Sequence, residues 1–135
     1  MPLVCRKGIL AVAAAIDIAI HADGRPVSAK ALAGRHQLPP RHLEPVLQAL
    51  VRDGILRGIR GPHGGYALAR DHRHITTEDI MRAAGSVEAD NEPPLPESTL
   101  VSRVVRPALA KAETVFSMAL AGLNVEELIR RPKRR

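Results

Sequence analysis

The 135 residues contain no tryptophan, one tyrosine (Tyr66), one phenylalanine (Phe116) and one cysteine (Cys5). So few rings cannot fill a sandwich core, and the interior falls to Leu, Ile, Val and Ala, which suit closely packed helices. One thiol excludes an internal disulfide and any multi-cysteine zinc site. Beside Arg6 and Lys7, Cys5 is expected to be a small apolar residue rather than a redox thiol. No apolar run reaches the roughly 18–20 residues that span a bilayer. The apolar stretch 9–20 contains Asp17 and leads to no clean cleavage-like site, so no signal peptide is expected and a cytoplasmic protein is the default. G-x-S-x-G, P-loop, G-x-G-x-x-G and H-E-x-x-H patterns are all absent, and the acids form no catalytic pairing, so an enzyme is not expected.

Basic charge is abundant and unevenly placed. The net charge is +6. Residues 1–87 carry 12 Lys/Arg against 7 Asp/Glu, residues 88–129 carry 3 against 7, and residues 130–135 carry five basic groups and no acid. A basic body followed by an acidic one points to a polyanionic partner for the first. Within residues 25–73 the excess is nine Lys/Arg against three acids.

The segment 88–97, E-A-D-N-E-P-P-L-P-E, reads as an acidic, proline-rich linker. It divides a head, 1–87, from a C-terminal part, 98–129, with a basic tail at 130–135 expected to be solvated. In the head, Ile9, Val12, Ala13, Ile16 and Ile20 predict one face of a helix over 7–21. Ser28 is a good N-cap for a short second helix ending near Arg35, with Val27 and Leu32 placed as a hydrophobic staple. Leu43, Val46, Leu47, Leu50 and Val51 give the strongest helical periodicity of the chain. Pro45 fits that helix if it begins near Arg41 or His42, and Gly54 ends it. Short strands at 55–59 and 66–68 flank Arg60 and the turn G-P-H-G-G. A fourth helix follows Thr76, with Asp79 at its third position. His72 and His74 alternate like metal ligands but lack completing donors, so a solvent-facing loop is expected. Beyond the linker, a long helix over 98–121, kinked at Pro107, precedes a short helix capped by Asn124 with Glu127.

Two short helices joined tightly and followed by a two-stranded ribbon describe a winged helix-turn-helix, whose second helix enters the DNA major groove. The third helix buries Leu43, Val46, Leu47 and Leu50, leaving Arg41, His42, Glu44, Pro45 and Gln48 to read or flank bases. Arg60, at the base of the ribbon tip, suits a narrow minor groove. Lys30, Arg57, Gly61, His63 and Gly64 complete the candidate DNA-binding set. Tyr66 is expected to pack the wing against the head.

The run from Leu43 to Arg70, L-E-P-V-L-Q-A-L-V-R-D-G-I-L-R-G-I-R-G-P-H-G-G-Y-A-L-A-R, resembles the Rrf-two family of bacterial transcription regulators. Lys7-Gly8, the I-T-x-x-D-I segment at 75–80 and the long C-terminal helix extend the likeness over nearly the whole chain. The resemblance implies a mainly α fold with a small β-ribbon: a winged helix-turn-helix head plus a long C-terminal dimerisation helix. It implies a homodimer with crossed long helices, with Glu44 reading a base and Arg60 in the minor groove. Cluster-binding members of the family carry three cysteines before the long helix, where this chain has none, so no cofactor or metal is expected. The apolar stripe supplies the dimer seam: Val101, Val104, Ala108, Ala112, Val115 and Ala119. The function expected is a dimeric, sequence-specific regulator, acting as a repressor on an inverted-repeat stretch of double-stranded DNA, with an unknown effector and no membrane. The alternative is a winged-helix module that docks an acidic protein partner or an enzyme.

Overall fold

A computed structural model describes residues 6–21, 25–38, 40–85 and 98–131, the side chains of Val101 and Ser102 excepted. Helices α1 (Arg6–His21), α2 (Ala29–His36) and α3 (Pro40–Arg52) are followed by an antiparallel ribbon, β1 (Leu56–Ile59) and β2 (Gly65–Leu68). A 3₁₀ turn (His72–His74) leads to α4 (Thr77–Gly85). After the linker, a π-helical turn (Val101–Val105) runs into α5 (Arg106–Ala121), and α6 (Val125–Arg130) follows. The 88–97 linker, Cys5 and residues 132–135 of the basic tail lie outside the described residues.

Local sequence explains most of the element ends. The Ser28 hydroxyl accepts from the Ala31 N–H at 3.0 Å, capping α2. Thr76 and Asp79 form a complete capping box: the Asp79 N–H donates to Thr76 Oγ1 at 3.0 Å and the Thr76 N–H to Asp79 Oδ2 at 3.2 Å. Asn124 Oδ1 accepts from the Glu127 N–H at 2.8 Å. Gly54 ends α3 at φ 78°.

Three expectations are corrected. First, α1 buries Gly8, Ala11, Ala14, Ala15, Asp17 and Ile18, while Ile9 is 57% exposed, Ala13 is exposed, and Val12, Ile16 and Ile20 are half-buried. The buried face is the one that carries the charge, because Asp17 has partners waiting for it. Second, α3 begins at Pro40, so Pro45 lies inside the helix rather than in its first turn. Its missing N–H leaves the Arg41 carbonyl without a helical donor, on the exposed side of the helix, open to solvent. Third, Pro107 is the second residue of α5, and the irregularity before it takes the form of a π turn.

Two long-range pairings had no local signature. Val27 and Tyr66 form a β-bridge through reciprocal N–H···O bonds of 2.9 and 2.8 Å, adding a third strand segment to the ribbon. Thr76 and Asn124 form a second bridge, flanked by Thr77 N–H to Leu123 O (2.8 Å) and Val125 N–H to Ile75 O (2.9 Å). Val125 is therefore fully buried in the same cluster as Leu43, Leu47, Ile75 and Ile80, so α6 shares the core of the head from beyond the linker.

The Asp17 side chain is 1% exposed. It takes a two-pronged hydrogen bond from Arg35 (Nε 2.9 Å, Nη2 2.7 Å) and lies 2.6 Å from His36 Nε2. Burial pushes its carboxyl up, but the hydrogen bonds from Arg35 and His36 outweigh that and hold it below its ordinary value. A depressed carboxyl adds stability that is complete above the unfolded-state value, about pH 4, and is lost as pH falls through the folded value. Asp17→Ala is expected to cost about 2–3 kcal/mol in urea unfolding at pH 7. Asp17→Asn should flatten the fall in stability below about pH 4 without abolishing it. Asp71 is also depressed, by its hydrogen bonds with Arg73, but its exposure leaves it a small share of that fall.

Candidate nucleic-acid interface

Because α3 buries Leu43, Val46, Leu47, Ala49 and Leu50, it leaves Arg41, His42, Glu44, Pro45 and Gln48 exposed on its other sides. Gln48 Nε2 donates to the Tyr66 hydroxyl at 3.3 Å, which ties this helix to the ribbon. Burial raises the Tyr66 phenol above its ordinary value, and the nearby Glu44 charge pushes the same way against the Gln48 hydrogen bond. Glu44, Gln48 and Tyr66 thus form one patch where the helix meets the wing. Tyr66 itself is half-buried against the core, as wing packing requires.

The ribbon tip is a tight turn closed by the Gly64 N–H on Gly61 O at 2.9 Å. Gly61 (φ 114°) and Gly65 (φ 153°) adopt conformations that L side chains avoid. A Cβ on Gly64 would collide with the Ile59 carbonyl oxygen, and one on Gly65 with the Val27 backbone. Arg60, Gly61 and His63 are exposed at this tip and Gly64 is half-buried. The tip meets the start of α2 across an open groove of about 690 Å³, whose wall includes Arg25, Ser28, Arg35 and His63. Lys30 is exposed in the first turn of α2.

Arg57 is not brought to this surface. It stands opposite Ala67 in the ribbon, and strand side chains alternate, so it occupies the face opposite Tyr66. Conversely, Arg6 and Lys7 were missed as site residues. With Arg41, His42 and Pro45 they line a groove of about 290 Å³ between the starts of α1 and α3. A signal was available: cations at a helix N-terminus oppose the helix dipole. Helices α1, α2 and α3 have no acid in their first turn, whereas α4 carries Glu78 and Asp79 and α6 carries Glu126 and Glu127. The cations of the head divide into paired and unpaired. Arg35, Arg70, Arg73 and Arg82 each pair with a carboxylate, while Lys30, Arg41, Arg57 and Arg60 pair with none among the described residues.

Of the apolar stripe beyond the linker, Val104, Ala108, Ala112, Val115 and Ala119 are exposed, and Val101 has no described side chain. Leu100, Leu109 and Met118 are 63%, 62% and 69% exposed and were not anticipated. No residue of α5 is buried. Its C-terminal half meets the head: Glu113, Phe116, Ser117 and Leu120 are half-buried, and the Thr77 hydroxyl donates to Leu120 O at 2.6 Å.

A family profile described as Rrf2, iron-dependent transcriptional regulator, matches residues 4–131. The chain belongs to the Rrf2 family. It is 39% identical over 77 residues to a putative HTH-type transcriptional regulator of Haemophilus influenzae, covering 57% of this chain and 51% of that protein. It is 27% identical over 131 residues to the putative HTH-type transcriptional regulator BadM of Rhodopseudomonas palustris, covering 96% and 83%. The IscR structure from T. potens superposes with a TM-score of 0.70 at 28% identity, covering 93% of this chain and 85% of that one. The chain spans about half the length of several curated relatives it matches. Fold and relatives are those of winged-helix regulators, not of enzymes. No described helix is long and apolar enough to cross a membrane.

The residues present do not fit a thiolate-held iron cluster. Such clusters need several thiolates, and Cys5 is the only cysteine of the 135 residues. Among the described residues no three His, Cys, Asp or Glu side chains converge on a metal position.

The wing glycines give a direct check. Gly65→Ala is expected to speed amide exchange at Val27 and Tyr66 and to lower the melting temperature. Gly58→Ala, at a position with open space and no unusual φ, should leave both nearly unchanged.

Proposed function

We propose that this protein is a dimeric, sequence-specific DNA-binding transcriptional regulator that works without an iron–sulfur cluster and represses from an inverted-repeat site. The observation that carries the reading is the set of cations without acidic partners among the described residues, Lys30, Arg41 and Arg60, around the exposed face of α3 and a glycine-built wing tip. Phosphates would lie against Lys30, Arg41 and the acid-free helix starts. Glu44 would accept from a cytosine N4 and Gln48 would meet an adenine, while Arg60 enters the minor groove. His63, Gly61 and Gly64 bring the tip against the backbone.

Dimerisation is supported by the long helix. Residues 99–121 extend about 35 Å with no fully buried side chain among those described, and Val104, Leu109, Val115 and Met118 are more than half exposed. A second copy is the partner such a seam suits, with Ala108, Ala112 and Ala119 allowing close approach. Two linked heads would raise avidity by about 10²–10⁴ over one. A half-site on each head explains why the target would be an inverted repeat.

Genomic selection of bound fragments, followed by titration of the enriched site, tests the reading. Arg60→Ala should cost about 1–3 kcal/mol at the selected site and little on random DNA. Glu44→Ala should relax preference at one base per half-site. Equal losses on all sequences would mean that both residues only hold the backbone.

Val115→Glu, which would bury an unpaired charge in the seam, should give monomers by light scattering and lose the tight complex. A monomer that still binds the whole repeat at native affinity overturns the dimer. Protein purified without oxygen should be colourless and lack stoichiometric iron and sulfide; a visible charge-transfer band would contradict the cluster-free reading.

A further inference from the structure

We infer that the cleft between the end of α1 and the Arg57-bearing face of the ribbon binds a small organic anion, a carboxylate on a short apolar body, which competes with DNA for Arg25. The cleft measures about 350 Å³ and is walled by Arg25 and Arg57 over a floor of Ala19, Ile59, Ala67 and Leu68. That is the small end of the size range of ligand sites, which run about 300–1,000 Å³.

Three features select the ligand class. Arg25 and Arg57 both line this one concavity, and neither pairs with an acid among the described residues. The nearest rim histidine, His72, stands 3.6 Å from Asp71, but that carboxylate is already held by Arg73 through Nε at 3.1 Å and Nη2 at 2.9 Å. A guanidinium fork matches a carboxylate in shape as well as charge. The apolar floor, with Ile59 38% exposed, favours an anion with a hydrocarbon part over a bare inorganic one.

Position separates this cleft from the DNA surface while linking the two. Arg57 and Ala67 lie on the ribbon face opposite Tyr66, whose hydroxyl meets Gln48 of α3. Arg25, however, also walls the groove beside Ser28 and His63 at the wing tip. One guanidinium cannot serve both. An anion in the cleft draws Arg25 away from the groove where a phosphate would sit, and by linkage bound DNA weakens the anion equally. This second half rests on the DNA-binding reading; the cleft itself does not.

Titration of the ¹⁵N-labelled protein, free of DNA, with sodium hexanoate tests the site, with inorganic phosphate at matched ionic strength as the counter-probe. Saturable shifts should centre on the amides of Ala19, Arg25, Ile59 and Ala67 at roughly millimolar hexanoate, as suits so small a ligand. Arg57→Gln should weaken them about tenfold, the loss of one charge-assisted contact. Ala67→Leu, which narrows the floor, should weaken them too. Absence of saturation, identical titration of Arg57→Gln, or equal binding of phosphate overturns the proposal.

In a second arm, hexanoate should lower affinity for a fluorescent DNA duplex in the parent protein and not in Arg25→Gln. Unchanged affinity in the parent overturns the competition. Duplex that does not bind at all counts against the DNA-binding reading and leaves the NMR result standing.

Discussion

The buried carboxylate of Asp17 is the joint on which the head depends. Helix α2 has eight residues and buries only Leu32 and Ala33, too little to hold itself in place. Its C-terminal end is fixed by Arg35 and His36 on Asp17, and its N-terminal end by the Ser28 cap beside the Val27–Tyr66 bridge. Everything that faces outward follows from those two attachments. The angle of α2 sets the entry of α3, and the Val27 strand segment sets where the wing stands beside it. A buried ion pair adds little net stability, because desolvation offsets most of the attraction. Its contribution here is geometric: the forked guanidinium accepts one orientation of the carboxylate, and α1 thereby dictates the pose of α2.

Charge in this protein is sorted rather than merely abundant. Carboxylates are spent where a loop or helix start needs fastening, as Asp71 with Arg73, Asp79 with Thr76, and Glu78 with Arg82. The acids of α4 and α6 complement their own helix dipoles. The same residues are withheld from the starts of α1, α2 and α3, so the starts of α1 and α3 share one groove with Arg6, Lys7 and Arg41, and the start of α2 meets the wing tip beside Arg25. Net charge alone describes the result poorly, since four of the head's ten arginines are paired with carboxylates.

What the sequence made legible was local. Caps at Ser28, Thr76–Asp79 and Asn124–Glu127, the glycine stop at 54 and the ribbon all depend on residues within a few positions of one another, and each stands where expected. The exposed set on α3 was readable because its buried stripe is unbroken. The face of α1 was misread because hydrophobicity stands in for burial only when no buried charge has a distant partner, and Arg35 is 18 residues away. Strand parity at Arg57 and the gathering of Arg6 and Lys7 with Arg41 are facts of three-dimensional registry. So are the two β-bridges, whose partners lie 39 and 48 positions apart.

Closure of the core by Val125 ties the order of assembly to the order of synthesis. The head is made before α5 and α6, yet its interior is missing a fully buried side chain until α6 has packed back across Ile75. Contacts of such long sequence separation form late and slowly. The winged head therefore matures only after the long helix exists, so a nascent chain carries no finished reading surface before it also carries its apolar stripe.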